Sequence, residues 1–231
     1  MAAMMVQTVD NFNIDDISFS TLRKNKMGGK AVYINLGPNK MYLQLPSMRA
    51  PFGLSSYTDE ATKKTTYSLD LSFDAGLEYV QKKFQDLDEH IIKTVQANSV
   101  EWLGKKFNES VIREALYKPL VKESAKGDYP AMMKLKILTN RDTNAFIPEA
   151  FNRKRERVEL DSLTKGQKVI CIIDISQIWF IDNKFGVTVR LTQVLFEPTK
   201  QLPSFAFQDV EVATSDEEIE YEEVEEEVAD D

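Results

Sequence analysis

In the first half of the chain, short runs that alternate apolar and polar residues lie between turn-forming segments, which is typical of β-strands. Glycine, proline and asparagine mark the turns at residues 27–30 and 37–40. Residues 46–64 hold two prolines and many small polar side chains, so we predict a loop there. The predicted strands cover residues 18–22, 31–36, 41–45 and 65–73.

Residues 75–117 show the clearest helical periodicity in the chain. Their apolar positions recur every three, four or seven residues and would form one stripe on a helix. Asp74 is the predicted N-cap, the first helix is expected to end near Asn98, and residues 109–116 are predicted to form a second, short helix. The residues of the stripe are Leu77, Val80, Phe84, Leu87, Ile91, Val95 and Trp102.

The strongest β signal comes late in the chain. Residues 167–181 and 185–196 are two long runs of β-branched and aromatic residues, separated by a tight turn at residues 182–184. This pattern predicts a long hairpin. Residues 132–138 are predicted to form a further strand, and the segments 118–130 and 139–165 are predicted to be loops.

Several mainly antiparallel strands with one long helix inserted midway predict a mainly β fold. A small closed or partly open β-barrel of the oligonucleotide-binding type, the OB-fold, fits this order of elements. A generic α+β sheet with the helix on one face is the alternative. We assign residues 1–208 to this domain, with a helical insertion at about residues 75–117, and residues 209–231 to a disordered acidic tail.

Charge divides unevenly between the predicted domain and the tail. The 231 residues include 37 acidic and 29 basic residues, a formal net charge of −8. Residues 209–231 hold 13 of the acidic residues and no lysine or arginine, which leaves residues 1–208 at about +5. This division predicts that the body binds a polyanion, and that the tail occupies the same surface or recruits a basic partner. A tail that only keeps the protein soluble is the alternative.

The composition argues against catalytic and metal chemistry. Cys171 and His90 are the single cysteine and histidine, so an internal disulfide and a multi-cysteine zinc site are excluded. The chain contains neither a G-x-x-x-x-G-K phosphate loop nor a G-x-S-x-G nucleophile motif. We therefore predict a non-enzymatic protein without cofactor, metal or catalytic residues. Since it has no apolar run of about 20 residues and no signal peptide, we expect it to be intracellular.

Basic and aromatic residues alternate on the predicted strands and loops, a pattern that favours binding of single-stranded nucleic acid. Each aromatic residue could instead belong to the core, and because neighbouring strand residues face opposite sides, one of Trp179 and Phe180 is expected there. The basic run at residues 153–157 could instead be a solvated loop or a nuclear-import signal. The predicted DNA contacts are Lys30, Tyr33, Lys40, Tyr42, Arg49, Phe52, Arg153, Lys154, Arg155, Trp179, Lys184 and Arg190.

The late hairpin resembles a known family. The segments GQKV at residues 166–169, IWFIDNKFGV at 178–187 and RLTQV at 190–194 are similar to the final barrel hairpin of the single-stranded-DNA-binding proteins of T-seven-like bacteriophages and of nucleocytoplasmic large DNA viruses. The resemblance to the viral branch covers residues 16–231. The phage branch resembles the chain in its arrangement of barrel, inserted helix, tryptophan-containing hairpin and acidic C-terminus.

This resemblance implies an OB-fold that coats single-stranded DNA in viral replication, recombination and repair. It also implies a host nuclear location or a cytoplasmic viral replication compartment. The acidic tail would compete with DNA and recruit replication proteins such as a DNA polymerase or helicase, and a homodimer is left open. The tail residues assigned to partner binding are Asp216, Glu217, Glu218, Tyr221, Glu225, Asp230 and Asp231.

One feature departs from the phage pattern. The phage tail ends in an aromatic residue, whereas this chain ends in Asp231 and its nearest tail aromatic is Tyr221. Electrostatic competition by the tail would carry over without a terminal aromatic, but an aromatic contact at the chain end would not. The alternative function is an acidic-tailed chaperone or adaptor for basic proteins such as histones.

Overall fold

A computed structural model describes residues 6–24 and 29–198, and β-strands hold more of these residues than helices do. In chain order, the strands are β1 (Val6–Thr8), β2 (Ile17–Phe19), β3 (Arg23–Lys24), β4 (Lys30–Leu36), β5 (Asn39–Gln44), β6 (Met48–Ala50), β7 (Leu54–Thr58), β8 (Thr65–Ser72), β9 (Tyr117–Lys118), β10 (Val121–Lys122), β11 (Met132–Ile137), β12 (Glu149–Phe151), β13 (Arg157–Val158), β14 (Gln167–Ile181) and β15 (Lys184–Leu195). The helices are α1 (Glu78–Ala97), α2 (Ser99–Leu103), α3 (Glu109–Val111), a π-helical turn (Ile112–Leu116) and two 3₁₀ turns (Ile14–Asp16 and Leu160–Ser162).

Five strands close into a barrel, and the 15-residue strand β14 is the longest of them. β14 pairs antiparallel with β15, and β15 pairs parallel with β11. β11 pairs antiparallel with β8, β8 with β6, and β6 returns to β14. β4 and β5 continue the pairing along the β6 edge of β14. This closed, mainly antiparallel barrel with a long helix between β8 and β11 confirms the predicted OB-type, mainly β fold rather than an open α+β sheet.

Helix α1 buries the predicted apolar stripe. Val80, Phe84, Leu87, Ile91 and Val95 have no exposed surface, and they belong to the same core cluster as the inner residues of the barrel strands. Aromatic rings connect the helical segment to the barrel. They form the pairs Phe73 with Phe84, Trp102 with Phe180, and Tyr117 with Phe185, whose ring centroids are 6.3, 6.0 and 5.0 Å apart.

Asp74 is not the N-cap of α1, contrary to the sequence prediction. The cap is Leu77, which makes no side-chain capping hydrogen bond. The Asp74 carboxylate instead accepts hydrogen bonds from Arg49 Nε (2.8 Å), Arg49 Nη2 (3.1 Å) and Ser72 Oγ (2.5 Å). The Arg49 guanidinium holds the pKa of Asp74 below its usual value. Asp74 has the residue type of an N-cap and precedes the helix, but its side chain binds Arg49 of β6 instead.

The predicted hairpin is confirmed. β14 and β15 pair from Ile181 with Lys184 at the tip, and Asp182 takes the positive φ of 53° that a tight hairpin turn favours. The structure also separates the two adjacent aromatic residues. Phe180 is 4% exposed and belongs to the core, whereas Trp179 points outward and is half-buried.

The three predicted loops are wrong in part. Residues 46–64 contain β6 and β7, residues 118–130 contain β10, and residues 139–165 contain β12 and β13. These strands have two to five residues, too few to show a period. Their conformation is set by pairing with longer neighbours, as for β6, whose buried Met48 and Ala50 flank Arg49 between β14 and β8.

Some predictions concern residues outside the described part of the chain. They are the domain boundary at residue 208, the acidic tail at residues 209–231 and part of the turn at residues 27–30. Within the described residues, none of the helices has the length and apolar character that crossing a membrane requires.

A buried carboxylate on α1 holds the loop before β10. Asp88 is 6% exposed, and it accepts hydrogen bonds from the Tyr117 hydroxyl (2.5 Å), from Leu120 N–H (3.0 Å) and from Val121 N–H (3.4 Å). Burial raises the pKa of Asp88, and burial together with the Asp88 carboxylate raises the pKa of Tyr117. The Asp88 carboxylate therefore fixes the loop around Pro119 to the helix.

Replacing this carboxylate should destabilise the fold. Asp88→Ala leaves one hydroxyl and two backbone N–H groups without their acceptor, and we expect a loss of about 2–4 kcal/mol in the free energy of unfolding. Urea denaturation measures this loss. Asp86→Ala is the matched control, because Asp86 lies on the same helix and only pairs with Lys82 on the surface. A similar, small effect for both variants would contradict the assigned role of Asp88.

Candidate functional site

Cross-strand partners form three rows on the outer face of the barrel. Along β14, the outward residues of these rows alternate with residues that point into the core, such as Ile178 and Phe180. The rows are Ala31, Trp179, Gly186 and Lys118 in the first, Tyr33, Gln177 and Thr188 in the second, and Tyr42, Asp174, Arg190 and Lys136 in the third.

A groove of about 640 Å³ crosses this face. It is bordered by β7, β8, β11, β14 and β15 and by the loop that Asp88 holds. Its lining combines cationic and aromatic side chains, and among the described residues it contains no carboxylate. The four lysines and three aromatic residues of the lining are Lys118, Lys122, Lys134, Lys136, Tyr57, Tyr67 and Trp179.

Trp179 is held against the backbone of β15 at Gly186. A Cβ atom at position 186 would lie 2.8 Å from Trp179 Cζ2, so the indole occupies space that only glycine leaves free. Lys118 Nζ lies 5.7 Å from the centroid of the Trp179 ring, within the range of a cation–π contact. The groove therefore has an aromatic floor with a cation directly beside it.

The lysines of the groove differ in how far their charge is balanced. Lys134 Nζ donates to Asp70 Oδ2 at 3.2 Å and to Ser68 Oγ at 3.4 Å. Lys118 and Lys122 have no carboxylate within ion-pair distance in the described part of the chain. Burial lowers the pKa of Lys136, and the nearby charges of Arg190 and Lys64 lower it further. An anion bound in the groove would reduce this repulsion.

Arg190 and Asp174 form a loose pair at the centre of the third row. Arg190 Nη1 lies 3.9 Å from Asp174 Oδ2, which is too far for a hydrogen bond. Arg190 Nε and Asp174 Oδ1 are both buried, and neither has a hydrogen-bond partner among the described residues. Burial raises the pKa of Asp174, while Arg190 and Lys40 act in the opposite direction. Asp174 therefore balances the charge of Arg190 only in part.

Six of the predicted DNA contacts lie on this outer face. Of these six, Trp179 lines the groove, and Tyr33 lies beside it as the Cα partner of the lining residue Gln177. Tyr33 is 43% exposed, with the Arg23 guanidinium 5.7 Å from its ring centroid. The six residues are Tyr33, Lys40, Tyr42, Trp179, Lys184 and Arg190.

The other predicted contacts lie apart from the groove. Lys30 pairs with the core residue Phe180 and faces the side opposite to Tyr33. Arg49 binds Asp74, which raises the pKa of Arg49, and Phe52 lies in the turn after β6 with 49% of its surface exposed. The turn between β12 and β13 carries Arg153, Lys154 and Arg155. A role of all these residues in DNA binding stays a prediction.

Sequence reasoning missed six of the seven cationic and aromatic residues of the groove. A signal was present for two of them, because Lys134 and Lys136 alternate with the buried residues Met133, Leu135 and Ile137 on β11. Tyr57, Lys118 and Lys122 lie in strands of two to five residues, and the position of Tyr67 at the groove depends on how the strands pack together. The missed residues are Tyr57, Tyr67, Lys118, Lys122, Lys134 and Lys136.

Adding a methyl group at position 186 should displace Trp179. Gly186 does not have a positive φ, so Gly186→Ala strains the contact with the indole rather than the backbone conformation. We expect a red-shifted tryptophan emission and stronger acrylamide quenching, because the second tryptophan, Trp102, is buried. The control is Gly186→Ala in a Trp179→Phe background, where the remaining Trp102 signal should not change. An unaltered spectrum in the single variant would contradict the close contact.

The described barrel resembles solved structures of phage single-stranded-DNA-binding proteins. The protein from bacteriophage Enc34 in complex with ssDNA aligns with a TM-score of 0.43 and 15% identity, over 79% of this chain and 98% of that chain. Gp2.5, a single-stranded DNA binding protein encoded by bacteriophage T7, aligns with a TM-score of 0.45 and 14% identity, over 75% and 99%. Among curated protein sequences, none matches this chain.

A protein-family model also matches. It is described as "Family of unknown function (DUF5871)", and it matches residues 61–210. The matched segment runs from β8 through α1 to the late hairpin and so contains Trp179 and the four lysines of the groove. Because this match covers more than half of the chain, the protein belongs to the DUF5871 family.

Proposed function

We propose that this protein binds single-stranded DNA in the groove, with little sequence selectivity. The observation that carries the proposal is the lining, which places four lysines and three aromatic side chains together without a carboxylate among the described residues. Sequence-tolerant binding of single strands uses this combination, since bases stack on aromatic rings while cations follow the phosphates.

The position of Trp179 favours a single strand over a duplex. The indole is half-buried between Gly186 and Lys118, so a ligand must present a free base face to reach it. A duplex keeps its base faces stacked inside the helix. The lining offers one side-chain amide, Gln177, for reading base edges, which fits a low sequence selectivity.

In this proposal the protein coats and protects single-stranded DNA during viral replication, recombination and repair, and it acts as a binding protein rather than an enzyme. It works in the host nucleus or in a cytoplasmic viral replication compartment. The acidic residues 209–231 compete with DNA and recruit replication proteins such as a polymerase or helicase. Supporting this role, these residues include 13 carboxylates, whose negative charge the four lysines of the groove attract.

Fluorescence polarisation with labelled oligonucleotides tests the ligand. We expect clearly tighter binding to single-stranded than to duplex DNA. Trp179→Ala should weaken single-strand binding by roughly tenfold or more, since stacking contributes about 1–3 kcal/mol per base. Tyr79→Ala, which removes an exposed tyrosine on α1, should leave the affinity unchanged. Equal affinity for both forms of DNA would refute the proposal.

The salt dependence of the same titration separates stacking from phosphate contacts. Trp179→Ala should lower the affinity at every salt concentration without changing the slope of log affinity against log salt. Lys122→Ala should reduce that slope by about 0.7, the value for one single-strand phosphate contact. Identical slopes for the wild type and Lys122→Ala would remove Lys122 from the binding site.

Deletion of residues 209–231 tests the tail. If the tail competes with DNA as a tethered ligand, its effective concentration is of millimolar order, and its removal should tighten single-strand binding. The gain should shrink as salt rises, because the Debye length falls to about 10 Å at 0.1 M.

Two comparisons identify the cause of any gain on deletion. A tail with its acidic residues changed to amides should behave like the deletion, whereas Tyr221→Ala should affect partner binding alone. Unchanged affinity at all salt concentrations would favour a solubilising tail. Loss of histone binding on deletion, without any DNA affinity, would favour the chaperone alternative.

A further inference from the structure

A second depression lies on the outer side of the barrel near the other end of the β14–β15 hairpin. This slot has a volume of about 330 Å³. Its walls are mostly apolar and include Phe151, Ile170 and Ile172, and its polar rim includes Gln44, Gln193 and Arg155. Ile172 is the Cα partner of Gln44 on one side and of Gln193 on the other, so the slot is built from the cross-strand row that follows Asp174 and Arg190.

The slot and the groove are joined by one strand. Ile172 and Trp179 both belong to β14, and seven residues of extended chain span about 23 Å. The bulge between Ile175 and Gln177 keeps both side chains on the outward face, although their separation is odd. A ligand that leaves the groove along β14 therefore reaches the slot without leaving this face.

The row between the two depressions carries unbalanced positive charge. Arg190 and Lys136 are Cα partners on β15 and β11, an arrangement in which like charges repel. Among the described residues Arg190 pairs only with Asp174, at 3.9 Å, and Lys136 has no carboxylate within ion-pair distance. A phosphate at this point would bind the exposed part of the Arg190 guanidinium and reduce the repulsion.

The turn that supplies Arg155 is held in an uncommon conformation. Asn152 Oδ1 accepts hydrogen bonds from the backbone N–H groups of Lys154 (2.9 Å) and Glu156 (3.0 Å). Arg155 has a φ of 65°, which is infrequent for a residue other than glycine. The arginine lines the slot and has no ion-pair partner among the described residues. The turn thus places an unneutralised cation beside an apolar cavity.

We infer that the slot is a second nucleotide subsite for the same single strand of DNA. A base occupies the apolar slot, its edge faces the side-chain amides of Gln44 and Gln193, and Arg155 contacts the adjoining phosphate. The Gln44 side chain makes no hydrogen bond with the described residues, whereas Gln193 Nε2 donates to Glu149 Oε2 at 3.1 Å, so the Gln44 amide and the Gln193 carbonyl oxygen face the base. This inference rests on the proposed function and extends the binding path from the groove to the β12–β13 turn.

Continuity favours DNA over an acidic peptide as the occupant. The cationic row of Arg190 and Lys136 connects the slot to the aromatic floor at Trp179, as a bound strand with regularly spaced phosphates requires. A peptide that filled the slot alone would need neither that row nor the groove.

Oligothymidylates of increasing length, from about 4 to about 16 nucleotides, test the inference with the full chain. We expect the affinity to rise in a step at the length that first spans from groove to slot. The variant is Arg155→Gly, because glycine accepts the positive φ and removes only the side chain. It should match the wild type for short oligomers and remove the step, lowering the salt slope of long oligomers by about 0.7.

Lys63→Gly is the matched control. Lys63 is also an exposed basic residue with a positive φ (56°), but it lies in the turn between β7 and β8 and lines neither depression. This variant should retain the step.

The outcomes separate this inference from the proposed function. If wild type and Arg155→Gly respond identically at every length, the second subsite is refuted while groove binding stands. If no oligomer binds, the proposed function itself fails. If Arg155→Gly weakens only the binding of a synthetic peptide of residues 209–231, the slot takes an acidic peptide, and the inference is overturned.

Discussion

The fold depends on the pairing of β14, because this strand forms ladder hydrogen bonds along both edges. β15 occupies one edge over nearly its full length, and β6, β5 and β4 share the other in succession. Its inward residues, such as Ile173 and Ile178, are therefore fixed in the core, and its outward residues are fixed on the binding face. A register slip of one residue would place Trp179 in the core and Phe180 on the outer face, which would disrupt both the core packing and the groove.

Two further residues support the groove. Asp88 connects α1 to the loop that carries Lys118 and Lys122, so the inserted helix contributes to the site as well as to the core. Gly186 leaves the space in which the Trp179 indole lies. Both act by positioning other side chains, and neither residue type would suggest a binding role from sequence alone.

Long, regular elements could be predicted from the sequence, whereas most of the groove and the short strand β6 that closes the barrel could not. The hairpin of β14 and β15 and the apolar stripe of α1 repeat their pattern over many residues, so local periodicity reflects their final environment. Strand β6 has three residues and depends on pairing with strands distant in sequence. Arg49 illustrates the limit for sites, since its ion pair with Asp74, a residue 25 positions away, could not be read from the sequence, and its predicted phosphate contact stays a prediction.

The buried core explains why the barrel can tolerate unfavourable charge pairs on its outer face. Arg190 and Lys136 lie opposite each other, and Asp174 compensates only one of them at 3.9 Å. Pairing of their strands is maintained by inward neighbours such as Val189, Leu191 and Leu135, which are almost completely buried. Because the core sets the register, the outward positions are free to carry charges that cost stability in the free protein. If the proposed polyanion binds, it would neutralise the row and offset this cost without a change of fold.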